Sequence, residues 1–142
     1  MKIYVASSWR NEYQPTVVKQ LLAAGYAVYD FRSPSPFDKG FAWSHIDSNW
    51  INWSTQEYLN ALNHPKAKLG YAYDIDALNW CEVCVLVLPC GRSAHLEAGY
   101  AKGQGKKVYA LLLENTEPEL MYKMFDGFAI DIESIVKALS VL

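Results

Sequence analysis

Val83-Cys84-Val85-Leu86-Val87-Leu88, framed by Glu82 and Pro89, is the run on which the reading of the fold turns. It is apolar at every position and rich in β-branched residues, so it reads as a strand buried on both faces, because a strand with one wet face would alternate. Such strands belong to parallel sheets covered by helices. Working toward the C-terminus, the pattern predicts a helix over Ala94 to Gly103, a strand over Lys107 to Leu113, a helical stretch from Glu117 to Phe125, a short strand over Phe128 to Ile130 and a helix over Ile132 to Leu139. Toward the N-terminus, a short helix from about Tyr73 to Trp80 precedes the central run, and His45 to Leu62 reads as one long helix that Pro65 ends. Arg32 to Gly40, with Pro34 and Pro36, reads as a loop. Tyr26 to Phe31 is a predicted strand, Asn11 to Ala24 a helix with Pro15 in its first turn and Gly25 at its stop, and Lys2 to Ala6 the first strand. The alternation has no internal repeat. It predicts one domain over residues 1–142, an α/β doubly wound parallel sheet of about five strands in the order 2-1-3-4-5.

Composition narrows the function classes. A net charge of -2, with Lys106-Lys107 as the only basic cluster, excludes the basic face that a nucleic acid polymer requires. No apolar run approaches the roughly 18 residues of a membrane span, and Met1-Lys2 runs straight into a strand, so a cytoplasmic location is expected. Cys81, Cys84 and Cys90 cannot all pair and read as reduced core thiols. Cys81 and Cys84 have zinc-like spacing, but no second ligand pair exists, so no metal or other cofactor is expected. Aromatic residues are dense, with Trp43, Trp50, Trp53 and Tyr58 in one stretch that is either a packed helical face or a stacking wall for a base.

In a doubly wound sheet ligands bind beyond the carboxyl ends of the strands, where the strand order reverses. With strands one and three adjacent, Ser7-Ser8-Trp9-Arg10 and Cys90-Gly91-Arg92-Ser93 face one crevice. Ser93 is a natural helix N-cap, which puts Glu97 at the fourth helical position, one past the place of a capping box. A carboxylate there lies near the positive helix end and stays ionised, as a nucleophile or as a solvent-facing glutamate. The pair Asp74 and Asp76 could bind metal, but reads more simply as acidic residues opening a helix. The glycines from Gly99 to Gly105 follow a helix and so read as a helix stop, not a phosphate loop.

Three separated segments, Ile3-Tyr4-Val5-Ala6-Ser7-Ser8-Trp9-Arg10, Asp74-Ile75-Asp76-Ala77-Leu78 and Ser93-Ala94-His95-Leu96-Glu97-Ala98-Gly99-Tyr100-Ala101, together resemble the nucleoside 2-deoxyribosyltransferase family and the related N-glycosidases of deoxynucleoside 5′-monophosphates. The resemblance implies Glu97 as nucleophile, Asp74 as catalytic acid or base-binding group, and Tyr4 as the residue orienting Glu97. It implies substrate contacts from Ser7, Ser8, Trp9, Arg10, Gly91, Arg92 and Ser93. The expected partner is a small nucleoside or nucleotide. A homodimer or larger homo-oligomer is also expected, since the family commonly completes its pocket across subunits and Phe41 to Tyr58 is unusually aromatic for a free surface.

Gly91 departs from the family, which often has Asp or Ser there, and Tyr122 stands where the family places a neighbour-supplied Asn or Ser. Residues 32–72 match nothing in the family, and substrate identity is expected to reside there. Trp9 resembles the transferase branch. Ser8 and Arg10 resemble the monophosphate branch, although Arg10 could instead pair with Glu12. The balance predicts preference for a 5′-monophosphate. Two other classes share these features: a nucleotide-sensing module without turnover, and an NAD glycohydrolase-type enzyme.

Overall fold

The computed structural model describes all residues 1–142. Strands β1 (Lys2–Ala6), β2 (Ala27–Asp30), β3 (Val83–Leu88), β4 (Lys107–Leu112) and β5 (Gly127–Ala129) form one parallel sheet in the order β2-β1-β3-β4-β5. The helices are α1 (Gln14–Ala23), α2 (Thr55–Ala61), α3 (Pro65–Trp80), α4 (Arg92–Gly103) and α5 (Ile132–Ser140). The doubly wound order is therefore the one expected, with β3 at its centre and buried throughout.

Alternate residues of the strands feed two cores. Ile3, Val5, Val83, Val85 and Val87 pack against Val17 and Leu21 of α1 and Ile135 and Leu139 of α5. Tyr4, Ala6, Cys84, Leu86 and Leu88 pack against α3 and α4 on the opposite face. The buried stripe of α4 is all alanine (Ala94, Ala98, Ala101), and small side chains let that helix lie close on the sheet. Cys81 and Cys84 are buried free thiols, and Cys90 is half-buried. No helix is long and apolar enough to cross a membrane.

Several boundaries differ from the sequence reading. The long helix over His45 to Leu62 is broken into a 3-10 turn at Trp43–His45, another at Trp50–Asn52, and α2. Local side chains compete with the helix there. The Asp47 carboxylate accepts from the Asn49 N–H at 2.9 Å, and Ser54 and Glu57 close a capping box that starts α2 afresh. Pro65 opens α3 rather than ending a helix: it occupies the first turn, where its missing N–H costs nothing, and His64 caps it through the Lys66 N–H at 3.1 Å. Asp74 and Asp76 consequently sit in the interior of α3 and cap nothing. The stretch from Glu117 to Phe125 holds only a 3-10 turn, Leu120–Met124, and β5 is one residue earlier than expected. Gly105 makes the turn into β4 with φ +80°, as the helix-stop reading required.

Candidate active site

The loops after β1 and β3 and the start of α4 border a cleft of about 830 Å³, closed on its far side by α3 and the segment between β2 and α2. Glu97 and Asp74 line it together with Ser7, Ser8, Trp9, Arg10, Gly91, Arg92 and Ser93. Tyr4 lies beneath, fully buried in β1, and its hydroxyl donates a hydrogen bond to Glu97. Ten positions distant in sequence thus converge on one crevice, as the strand order dictates.

Glu97 corrects one expectation. The helix is capped by Gly91, whose extended backbone lets its carbonyl accept the first helical bond from His95, so Ser93 is the second helical residue and Glu97 the sixth. That is beyond the first turn, where the helix dipole acts. Burial decides instead. It pushes the Glu97 carboxyl up to about 8, with the nearby charge of Asp74 adding and the Tyr4 hydrogen bond opposing, so the group is not an ordinary ionised surface glutamate. Burial likewise raises Asp74, against the hydrogen bond that the Tyr29 hydroxyl donates to it at 2.7 Å. Each carboxylate therefore has one oxygen held by a tyrosine and one without a protein partner. The Tyr4 hydroxyl is held far above its usual range, by desolvation first and by the Glu97 and Asp74 charges next, so it stays protonated and donates to Glu97.

The β1 end is braced from behind. Arg32 sends one guanidinium nitrogen to the carbonyls of Ser8, Trp9 and Asn11 at 3.3, 3.0 and 2.9 Å, and the guanidinium lies over the Trp9 ring. Asn11 accepts from the Tyr13 and Gln14 N–H groups, both at 2.8 Å, and donates to the Pro89 carbonyl at 2.9 Å, which ties the β1 loop to the β3 loop. The Ser7 hydroxyl is likewise spent on the Val87 carbonyl at 2.9 Å. Ser8, Arg10, Arg92 and Ser93 are the opposite case: their side chains line the cleft with no hydrogen bond or ion pair within the chain. Arg10 does not pair with Glu12.

The tryptophan segment forms a clustered wall rather than a helical face. Trp43 meets Phe41, Trp53 and Tyr58 edge to face, and Trp43 and Trp50 line the cleft with Phe31, Phe37 and Phe41. His95 stands outside the cleft, with its ring nitrogens 2.7 Å from the Gly91 carbonyl and 2.8 Å from the Tyr122 hydroxyl. Tyr122 is thus engaged inside its own chain. Sequence reasoning missed Tyr29, Arg32 and Asn11. Only Tyr29 left a signal, since parallel pairing of the first two strands sets it directly beside Tyr4.

Together the fold and the cleft define a doubly wound α/β protein with two tyrosine-held carboxylates at the strand-order switch. No protein-family model matches the chain, and no curated protein matches it by sequence. Solved structures do share the fold. A 2-deoxyribosyltransferase from Bacillus psychrosaccharolyticus superposes with a TM-score of 0.65 at 18% identity, over 96% of this chain and 90% of the other. A CMP N-glycosidase from Clostridium botulinum gives 0.53 at 14% identity, over 99% of both chains. A conserved protein from Enterococcus faecalis gives 0.60 at 12% identity, over 99% of this chain and 97% of the other.

Proposed function

We propose that the chain cleaves or transfers at the N-glycosidic bond of a nucleoside or its 5′-monophosphate, with Glu97 as nucleophile. The carrying observation is the pair of half-buried carboxylates, each gripped at one oxygen by a tyrosine and open at the other, in one cleft. The free Glu97 oxygen attacks C1′ through an oxocarbenium-like transition state and forms a glycosyl ester. The C1′–N bond breaks, and Asp74 protonates or hydrogen-bonds the departing base. Water, or a second base, then takes the sugar from Glu97. The charge of Asp74 adds a smaller upward push to the Glu97 carboxyl. The working form holds one proton, on Asp74, with Glu97 ionised; because burial holds the Glu97 carboxyl up to about 8, this is the minor of the two one-proton forms. The shared fold of a deoxyribosyltransferase and a CMP N-glycosidase supports this reading. It is tested by incubating the protein with deoxynucleosides, ribonucleosides, their 5′-monophosphates and NAD, and separating free base by chromatography. Release from NAD alone would assign a ribosyl chemistry, and binding without any release would leave a sensing module.

The unpartnered Ser8, Arg10, Arg92 and Ser93 at the cleft mouth suit a phosphate dianion, which takes charge-assisted bonds from guanidinium and hydroxyl groups. A 5′-monophosphate is accordingly the proposed substrate. Arg10→Ala is expected to raise KM for the monophosphate roughly tenfold or more while leaving turnover of the free nucleoside nearly unchanged. Equal losses on both substrates in steady-state kinetics would remove Arg10 from phosphate binding.

A homodimer is proposed as well. Trp50, Ile51, Tyr58, Leu59 and Leu62 are exposed along one short stretch, more apolar surface than a monomer usually leaves to water. Light scattering at micromolar concentration is expected to give about twice the chain mass of 16.1 kDa, and a value of one chain mass would refute the dimer.

A further inference from the structure

Tyr29 is a direct register partner of Tyr4 across β1 and β2, and the two phenol rings stack with centroids 5.0 Å apart and planes 22° from parallel. From this pair of rods one hydroxyl reaches Glu97 on α4 and the other reaches Asp74 on α3. The Tyr29 hydroxyl is the only hydrogen-bond donor that the protein offers to the Asp74 carboxylate. The geometry points to Tyr29 as the positioning residue for Asp74: it holds one carboxyl oxygen and so fixes which oxygen is left free in the cleft. This rests on the glycosidase reading for its catalytic consequence, though not for its effect on Asp74.

The arrangement differs from a plain structural hydrogen bond in what it leaves open. Tyr29 lines the cleft beside Asp74, so its hydroxyl shares the space that substrate enters. The ionisable groups around Asp74 are Tyr4 from β1, Tyr29 from β2, Glu97 from α4, Lys66 and Tyr73 on its own helix, Arg10 and Arg92 across the cleft, and Asp38, Lys39 and His45 from the segment between β2 and α2. Lys66 is turned away, donating to the His45 carbonyl at 2.8 Å. Among them, only Tyr29 touches the carboxylate. A phenol that donates to a carboxylate favours its ionised form, so without the hydroxyl the first proton would leave the carboxyl pair at higher pH.

Tyr29→Phe tests this, because phenylalanine keeps the stacked ring and removes only the hydroxyl. Two measurements on the whole protein are made: the titration of Asp74 by carbon NMR of aspartate-labelled protein without substrate, and the pH profile of base release. The expected results are an Asp74 midpoint and an acid limb that both move to higher pH, with kcat lowered roughly tenfold and KM little changed. In the Asp74→Asn background, Tyr29→Phe is expected to add almost nothing, since the two residues act as one unit. An Asp74 titration unmoved in Tyr29→Phe would overturn the proposal. Additive losses in the double variant would overturn it too, by showing a merely structural effect. Should no substrate release base, the glycosidase reading fails, and the NMR titration still judges Tyr29.

Discussion

Glu97→Gln is expected to lower base release on the order of 10³-fold or more while leaving the fold and nucleotide binding in place. Glutamine keeps the volume and still accepts the Tyr4 hydroxyl, so the cleft need not rearrange. What is lost is the nucleophile, and with it the covalent route through a glycosyl ester. Glu97→Ala should be equally inactive, although it leaves a gap above Tyr4. The checks are single-turnover base release and calorimetric titration of the 5′-monophosphate into each variant. Wild-type turnover in either variant would end the nucleophile assignment, and lost binding with altered circular dichroism would show that Glu97 is structural.

The second large effect is on stability, and it runs against the usual behaviour of acidic side chains. Glu97 sits at about 8 in the folded protein against an ordinary 4.5, so the folded state holds this proton more tightly than the unfolded chain does. Its contribution is fully present below about pH 4.5 and is lost as the pH rises toward 8. At about 1.4 kcal/mol per pH unit for one proton, the loss across that window is roughly 4 kcal/mol. Glutamine cannot ionise. The wild type and Glu97→Gln should therefore unfold alike near pH 4, and the variant should be the more stable by several kcal/mol near pH 9. Urea unfolding of both proteins at each pH measures the difference, and parallel curves would show that Glu97 carries no buried proton.

Residue by residue, the sequence was most legible where one side chain type allows one environment. The apolar run of β3 can only be a strand covered on both faces, and β1 and β2 with the helix between them fix a right-handed unit beside it. With the order 2-1-3-4-5, which the alternation favours and the sheet adopts, the loops that begin at Ser7 and Cys90 meet. Legibility failed where short polar side chains compete with the backbone: Asp47 and Ser54 break the helix that hydrophobic spacing suggests, and His64 with Pro65 starts one where a proline reads as a stop. At Glu97 the obvious cap, Ser93, misled. Glu97 lies two residues further along the helix than a Ser93 cap would put it, past the first turn where the dipole acts, and its burial decides instead. Arg32 was invisible for a different reason. An arginine after a strand is nearly always solvated, and nothing in its neighbours announces that three carbonyls wait for it.

That bracing by Arg32 makes the two halves of the cleft unequal in rigidity. The backbone from Ser8 to Asn11 is held before any ligand arrives, so little entropy remains to be lost there on binding. Opposite it, Phe37 is fully exposed and Trp50 substantially so, side chains with room to turn. If sugar and phosphate occupy the braced half, a chain built this way would be exacting about the handle of its substrate and lenient about the cargo, accepting bases of several shapes on one invariant sugar phosphate.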